Sequence, residues 1–421
     1  MRSNLCADRD FQGSGEFIFS KIIPERNGMK KDEYRSLLIK EYGVAPGSPA
    51  YLSCVKEFMP LEIVIGESIK KEKASWWPCA DVNGFLMLLG SSGSGKTEAL
   101  KMMGSQILNQ AIPVLALDFH GDIEFPYLNS VLLSSGHESV WGISPLEIDG
   151  MNPGKQGLRE HYLMIVEMLH RAAPSLGMKQ RDILLHAIEA AYVMVGIEEF
   201  NPRSWLKTPP SFRMVADVLS GWASNSEMKP YHQSITGCLI ALNSIFGHPV
   251  FNRINNIKAG AILASNLRFD LSHLSEPLQA LVAETILRMV YRALRARGPI
   301  SNGCHDWERF RLFILIDEAK ILAMGFGDPD KRSSILNVLA TEGRKFGIGL
   351  ILASQTSSHF GRDVKRNFAS RLILKASDYT DARLNAADIR ITPNDLLELP
   401  GHGAGYLCTG RSDVERIQVV L

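Results

Sequence analysis

The eight residues GSSGSGKT at 90–97 constrain this chain more than any other stretch. They follow an apolar run, GFLMLL at 84–89, and precede TEALKMMGSQIL, whose apolar spacing is that of a helix. Glycines in such a loop let backbone N–H groups curl around an anion, and the N-terminus of the next helix adds partial positive charge. The pattern G-x-x-x-x-G-K-[ST] between a strand and a helix therefore predicts a nucleoside triphosphate site. Gly90, Ser92, Gly93, Ser94, Gly95, Lys96, Thr97 and Glu98 are the expected nucleotide-binding residues. Lys96 would reach the β- and γ-phosphates and Thr97 would ligate Mg2+. The alternative is a Gly/Ser-rich loop with a chance lysine, and it does not account for the elements on either side.

Such a loop needs a parallel sheet behind it, and the sequence supplies one. Apolar runs at 84–89, 113–118 (PVLALD), 266–271 (NLRFDL), 311–317 (RLFILID) and 349–354 (GLILAS) are short, nearly all apolar and followed by polar or Gly-rich residues. Strands buried on both faces read this way, and their C-terminal tips face a ligand cleft. Between the second and third runs, residues 157–250 carry helical apolar spacing, with Tyr162, Ile165, Val166 and Leu169 on one face and Ile183, Leu184, Ala187, Ile188 and Ala191 on another. A helical insertion is expected there, broken near Pro202, Pro209 and Pro210. A further helix is expected over 274–297. Residues 1–75 read as a small mixed segment, with strand-like 16–23 and 61–65, a charged helix at 31–42 and a Pro/Gly break at 45–49. The expected division is a small N-terminal domain at 1–75, for docking or oligomerisation, and an ATP-binding domain at 76–421.

A second set of residues belongs at the strand tips. In RLFILIDEAK the apolar run ends on Asp317-Glu318, which puts Asp317 beside the phosphate loop on the Mg2+ side and Glu318 where a general base would meet an attacking water. An acidic helix cap is the plainer alternative. ALDFHGDIE has the same design at Asp118 and His120, as turn former and surface residue or as catalytic groups. In EGRKFGIGLILASQ, 342–355, the strand ends on Ser354-Gln355; a Gln amide there can donate to a γ-phosphate and orient water, or simply end the strand. Arg344 closes a helix-like stretch, 335–345, at the other end of that strand and away from its own phosphate loop, so a charge-neutralising role requires a neighbouring subunit's nucleotide.

Composition limits the partners. With 46 Lys+Arg against 45 Asp+Glu the net charge is +1, so any polyanion site must be local. The six cysteines are scattered without CxxC spacing, with Cys304-His305 as the one Cys-His neighbour pair, as in a reduced cytoplasmic protein. MRSNLCADRDFQGSG has no apolar signal core, and no run reaches bilayer length, so no membrane partner is expected. MGFGDPDKRSS at 324–334 is Gly-rich and ends in Lys331-Arg332, which fits either a phosphate contact or a solvated loop.

LLGSSGSGKTEALK, ALDFHGD, LRFDLSHLSEPLQALVAETILRMVYRAL, FILIDEAK and EGRKFGIGLILASQ, in that order, make the chain similar to the HerA/FtsK branch of P-loop ATPases, and within it to HerA-like DNA translocases. The resemblance runs from about residue 62 to the end. It implies an α/β fold: a RecA-like P-loop NTPase core with a parallel central sheet, a helical-bundle insertion and a small N-terminal α+β or β-barrel-like segment. It implies ATP and Mg2+ as cofactors and a homo-hexameric ring that pumps double-stranded DNA, with a nuclease or other effector protein as partner. It assigns Lys96 and Thr97 to the Walker A pair, Asp317 and Glu318 to the Walker B pair, Gln355 to the sensor glutamine, Arg344 to the trans-acting arginine and Arg371 to a second interface arginine. The C-terminal LLELPGHGAGYLCTGRSDVERIQVVL also resembles the family, as a short hairpin. Lys320 departs from it, standing where relatives often carry His.

Overall fold

The computed structural model describes residues 61–79, 83–110, 112–301, 309–324, 334–410 and 413–420. The elements expected at 16–23 and 31–42, Cys304-His305 and the Lys331-Arg332 loop lie outside them. In chain order the strands are β1 Ile63–Ser68, β2 Lys73–Trp76, β3 Phe85–Leu89, β4 Val114–Asp118, β5 Asn129–Leu132, β6 Trp141–Gly142, β7 Asn255–Asn256, β8 Leu267–Asp270, β9 Leu312–Ile316, β10 Ile348–Ser354, β11 Ser370–Leu374, β12 Ala404–Cys408 and β13 Glu415–Val419. Eleven of them form one sheet in the order β2-β1-β13-β12-β11-β3-β10-β9-β4-β8-β5. From β11 to β5 every neighbouring pair is parallel. From β11 to β2 every pair is antiparallel.

The all-apolar strands follow from a sheet covered on both faces. Along β3, Phe85, Met87 and Leu89 join one core and Leu86 and Leu88 the other; β9 divides likewise into Leu312, Ile314 and Ile316 against Phe313 and Leu315. Alternate side chains point to opposite faces, so a doubly covered strand has no polar side to show. The helix Lys96–Asn109 buries Ala99, Leu100, Met103 and Ile107 on one face. The helix Glu276–Arg297 covers the other with Leu281, Ile286, Met289 and Val290 among its buried residues.

Residues 157–250 hold the helices Leu158–Ala172, Met178–Met194, Phe212–Ser224 and His232–Phe246, with a 3-10 turn at Pro202–Leu206. A buried polar network ties them to the core. His161 Nε2 lies 3.2 Å from the Tyr192 hydroxyl, which donates to the Leu146 carbonyl, while Arg292 reaches His161 Nδ1 at 2.9 Å and donates to the Glu147 carbonyl at 2.5 Å. Burial pushes His161 well below the usual imidazole range, with the Arg292 charge acting in the same direction.

Two boundaries differ from expectation. β1 and all but the last residue of β2 lie before residue 76, yet β2 pairs with β1 and β1 with β13 in the main sheet, so the sheet begins upstream of the expected 75/76 division. The reason is the C-terminal hairpin: β13 leaves an open edge that β1 covers. The helix expected to run through Lys345 ends at Glu342 and tightens into a 3-10 turn, Gly343–Phe346, closed by Gly347 at φ 81. None of the described helices is long and apolar enough to cross a membrane.

Gly349, the second residue of β10, is demanded by packing. A Cβ there would sit 2.4 Å from the ring of Phe313 on the adjacent strand, and that ring is itself packed against Trp76 and Phe310. Gly349→Ala should lower the Tm, at a cost of about 1–3 kcal/mol for an overpacked core. Adding Phe313→Leu should recover part of the loss. Thermal unfolding of the three proteins checks this, and an unchanged Tm for Gly349→Ala would contradict it.

Candidate nucleotide site

Parallel strands end on the same edge of a sheet, and here the ends are stitched together. In β10, Ser354 pairs with Leu89 of β3, so residue 355 and residue 90 leave the sheet side by side. Gly90 N donates to the Ser354 carbonyl at 3.3 Å, and Ser91 N donates to the Lys375 carbonyl at 3.0 Å just beyond β11. On the other side of β10, Ala319 N donates to the Ala353 carbonyl at 2.8 Å, and Asp317 N to the Leu117 carbonyl at 3.3 Å. The loop 90–97, Asp317-Glu318, Gln355 and His120 are thus gathered at one crevice, as expected outside the carboxyl ends of a parallel sheet.

The loop has the shape of an anion cradle. Gly90, Gly93 and Gly95 all have positive φ, at 155, 73 and 101. At Gly90 a side chain would also collide with Ser94 Oγ at 2.6 Å. Ser94 Oγ is buried without a hydrogen-bond partner, which suits a loop built to donate to a ligand. Ser92 and Gly93 are exposed at the loop tip, Gly95 is buried and Thr97 is half-buried at the start of the helix. Glu98 is exposed and ion-paired with Lys101 at 2.8 Å on the helix surface, so its side chain is directed to that pair. The Gly403 amide donates to the Ser94 carbonyl at 2.9 Å, which brings the Gly-rich turn before β12 against the loop.

Lys96 is buried and donates to the Gly90 and Ser91 carbonyls, each at 2.9 Å. Burial pulls its ammonium below the usual lysine range, while the Glu318 and Asp317 charges hold it up. Asp317 is 3% exposed and accepts the Glu318 amide at 2.9 Å; burial pushes its carboxyl up to about 6. Glu318 has φ 44, a left-handed backbone uncommon for a residue with a Cβ and of the kind that collects at functional sites. Its Oε1 lies 3.0 Å from Lys320 Nζ and its Oε2 lies 4.0 Å from His120 Nε2. A desolvated ammonium, two carboxylates and a glycine cradle with an open Ser94 hydroxyl fit a nucleotide phosphate with Mg2+.

Asp118 proves to be a scaffold residue. It is 0% exposed, accepts from the amides of His120, Gly121 and Ile123, and pairs with Arg268 Nε at 2.8 Å, so both oxygens are spent on the turn. His120 remains half-exposed over the crevice. Gln355 is half-buried, and its carbonyl accepts from Asn385 Nδ2 at 3.1 Å while Asn385 Oδ1 accepts from Ser357 N at 3.0 Å. Asn385 is 0% exposed and clamps the Gln355–Ser357 turn from a helix thirty residues on, a role that no local pattern signals. Arg344 is exposed on the turn before β10, at the edge of the sheet opposite the crevice. Arg371 donates to the Lys365 carbonyl at 3.0 Å and lies 3.9 Å from Asp388, which occupies it within its own chain.

The cradle and the strand tips have the arrangement of a P-loop on a RecA-like sheet. No family model matches the chain. It is 25% identical over 311 residues to the DNA import protein CedB of Sulfolobus acidocaldarius, covering 71% of this chain and 45% of that one. It is 22% identical over 344 residues to the DNA double-strand break repair helicase HerA of the same organism, covering 78% of this chain and 61% of that one. The chain therefore spans about half the length of the curated relatives it matches. In fold it is similar to VirB4 of Thermoanaerobacter pseudethanolicus, with TM-score 0.66, 18% identity and coverage of 85% and 96% of the two chains. The plasmid coupling protein TrwB, solved in complex with ADP and Mg2+, gives TM-score 0.57 at 15% identity over 80% and 85%. The chain is thus similar in sequence to HerA-type DNA-handling proteins and shares its fold with P-loop ATPases.

The site makes a prediction about stability. Asp317 titrates near 6 in the folded chain against an ordinary 3.8, so the native state holds its proton to higher pH than the unfolded state does. This group's contribution to stability is full below about pH 4 and lost as pH rises through about 6. Asp317→Asn, which keeps the acceptor for the Glu318 amide, should raise the Tm of the metal-free protein above pH 6 and converge with wild type below pH 4. Equal Tm values at pH 8 would contradict this.

Proposed function

We propose that the chain hydrolyses ATP with Mg2+ and uses the energy to move double-stranded DNA as a homo-hexameric ring. The ring would act in the cytoplasm with a nuclease or other effector in DNA processing or antiphage defence. The observation that carries the catalytic part is the gathering of Lys96, Asp317-Glu318 and Gln355 at adjacent tips of β3, β9 and β10. The DNA part rests on the similarity to a DNA import protein and a DNA repair helicase.

The residues divide the work by position. Gly90, Gly93 and Gly95 shape the loop so that its amides face a phosphate, and Lys96 exchanges its two carbonyl partners for phosphate oxygens. Thr97 and Asp317 would hold Mg2+, which when bound neutralises charge developing between the β- and γ-phosphates. Glu318 accepts a proton from the attacking water, and the Gln355 amide orients that water or the phosphate. Arg344 cannot reach the crevice of its own chain from the opposite sheet edge, so it serves the nucleotide of a neighbouring subunit. Segment 342–355 then joins a residue for one site to a residue for the next.

Lys96→Ala should abolish turnover, and Glu318→Gln should bind ATP yet hydrolyse it at least about a hundredfold more slowly, the scale of a lost general base. Normal turnover by Glu318→Gln would remove the base assignment. Mixing Lys96→Ala with Arg344→Ala subunits should restore some activity, because mixed rings contain interfaces with an intact loop and an intact arginine. Duplex DNA should stimulate ATPase activity and the protein should displace a roadblock. Stimulation by single strands alone would favour a conjugation-type motor, and ATP-dependent effector assembly without displacement would favour a nucleotide-gated scaffold.

A further inference from the structure

Lys320 opens the helix Lys320–Met324 two residues after Glu318. Its ammonium lies 3.0 Å from Glu318 Oε1, with the lysine side chain 36% exposed and the glutamate side chain 9% exposed. The glutamate backbone is fixed: its amide donates to Asp317 Oδ1, and the Ile321 amide donates to its carbonyl at 3.0 Å. The next residue, Ala319, is tied to β10 by its amide. Only the Glu318 side chain is left to choose a position, and the nearest cation decides it. His120 faces the other oxygen at 4.0 Å, and His359, held to Ser354 Oγ at 2.9 Å, has its imidazole lowered by burial and then by the Lys320 charge.

We propose that Lys320 is a positioning residue that holds the Glu318 carboxylate in a resting pose and so brakes ATP hydrolysis. Oε1 makes no hydrogen bond and is held by the ion pair alone, so the carboxylate must leave the ammonium's field before it can accept from water. The ammonium is exposed enough to be taken up by solvent when the pair opens, so the brake is reversible. The helix Lys320–Met324 is short and carries Lys320 at its first position, so a small movement of this helix changes the separation of the pair.

The proposal rests on the ATPase reading, and its test separates the two. Steady-state turnover without DNA is measured for wild type, Lys320→Ala and Lys320→Arg. Lys320→Ala should raise kcat about threefold or more, the scale of a partly exposed charge pair, with KM for ATP unchanged. Lys320→Arg should restore the low rate, and Glu318→Gln with Lys320→Ala should show no gain, because the carboxylate being released is absent. If the alanine variant does not fold, Lys320→Met, which keeps the length of the side chain, makes the same comparison. An unchanged or lower kcat with the pair removed overturns the brake while leaving the ATPase reading intact. A wild-type protein that turns over no ATP overturns both.

Discussion

The parallel pairing of β3 with β10 is the interaction on which the site depends. With Ser354 opposite Leu89, the two chains leave the sheet together, and the Gly90 amide closes on the Ser354 carbonyl. A one-residue slip would turn every β10 side chain to the other face of the sheet. That is prevented by burial on both sides and by the Gly349 contact with Phe313, which allows no Cβ at that register. β9 then joins the other edge of β10, and the amide of Ala319 fixes the acid pair relative to the same strand. Gln355 is positioned from two sides by the ladder and from a third by Asn385.

The site is locally costly, and the cost has a physical form. Lys96 and Asp317 are ionisable groups taken out of water, and burial shifts each toward its neutral state. Glu318 occupies a left-handed backbone, and Ser94 Oγ is buried without a partner. Such groups are tolerated because the surrounding sheet supplies stability and because a bound triphosphate with its metal would compensate their charges. Asp118 shows the contrast: equally buried, it is fully satisfied by three amides and Arg268, and it serves the turn that carries His120.

Much of this was legible in the sequence because it is local. GSSGSGKT encodes its own conformation through its glycines, and the apolar runs ending in DE and SQ announce strand tips in a cleft. The roles of Asp118 and Arg371 were less legible, since each depends on partners distant in sequence: Arg268 for one, Asp388 and the Lys365 carbonyl for the other. Asn385 and the Gly403 contact to the loop left no trace at all, because a buried amide and a glycine in a turn look like any other. The edge strands β1 and β2 read as part of a separate segment for the same reason: sheet membership there is decided by β13, some 350 residues later.

In the proposed mechanism one sheet edge gathers the phosphate- and water-binding residues, and the remaining cation comes from another copy of the chain. A structure of the protein bound to Mg2+ and a non-hydrolysable ATP analogue tests it most directly. The account predicts the γ-phosphate within hydrogen-bonding reach of Lys96 Nζ and the Gln355 amide, Mg2+ on Thr97 and the Asp317 side, and Arg344 of an adjacent subunit approaching the same phosphate. A nucleotide bound elsewhere, or at this loop with Gln355 turned away and Arg344 facing solvent in an assembled ring, would contradict it.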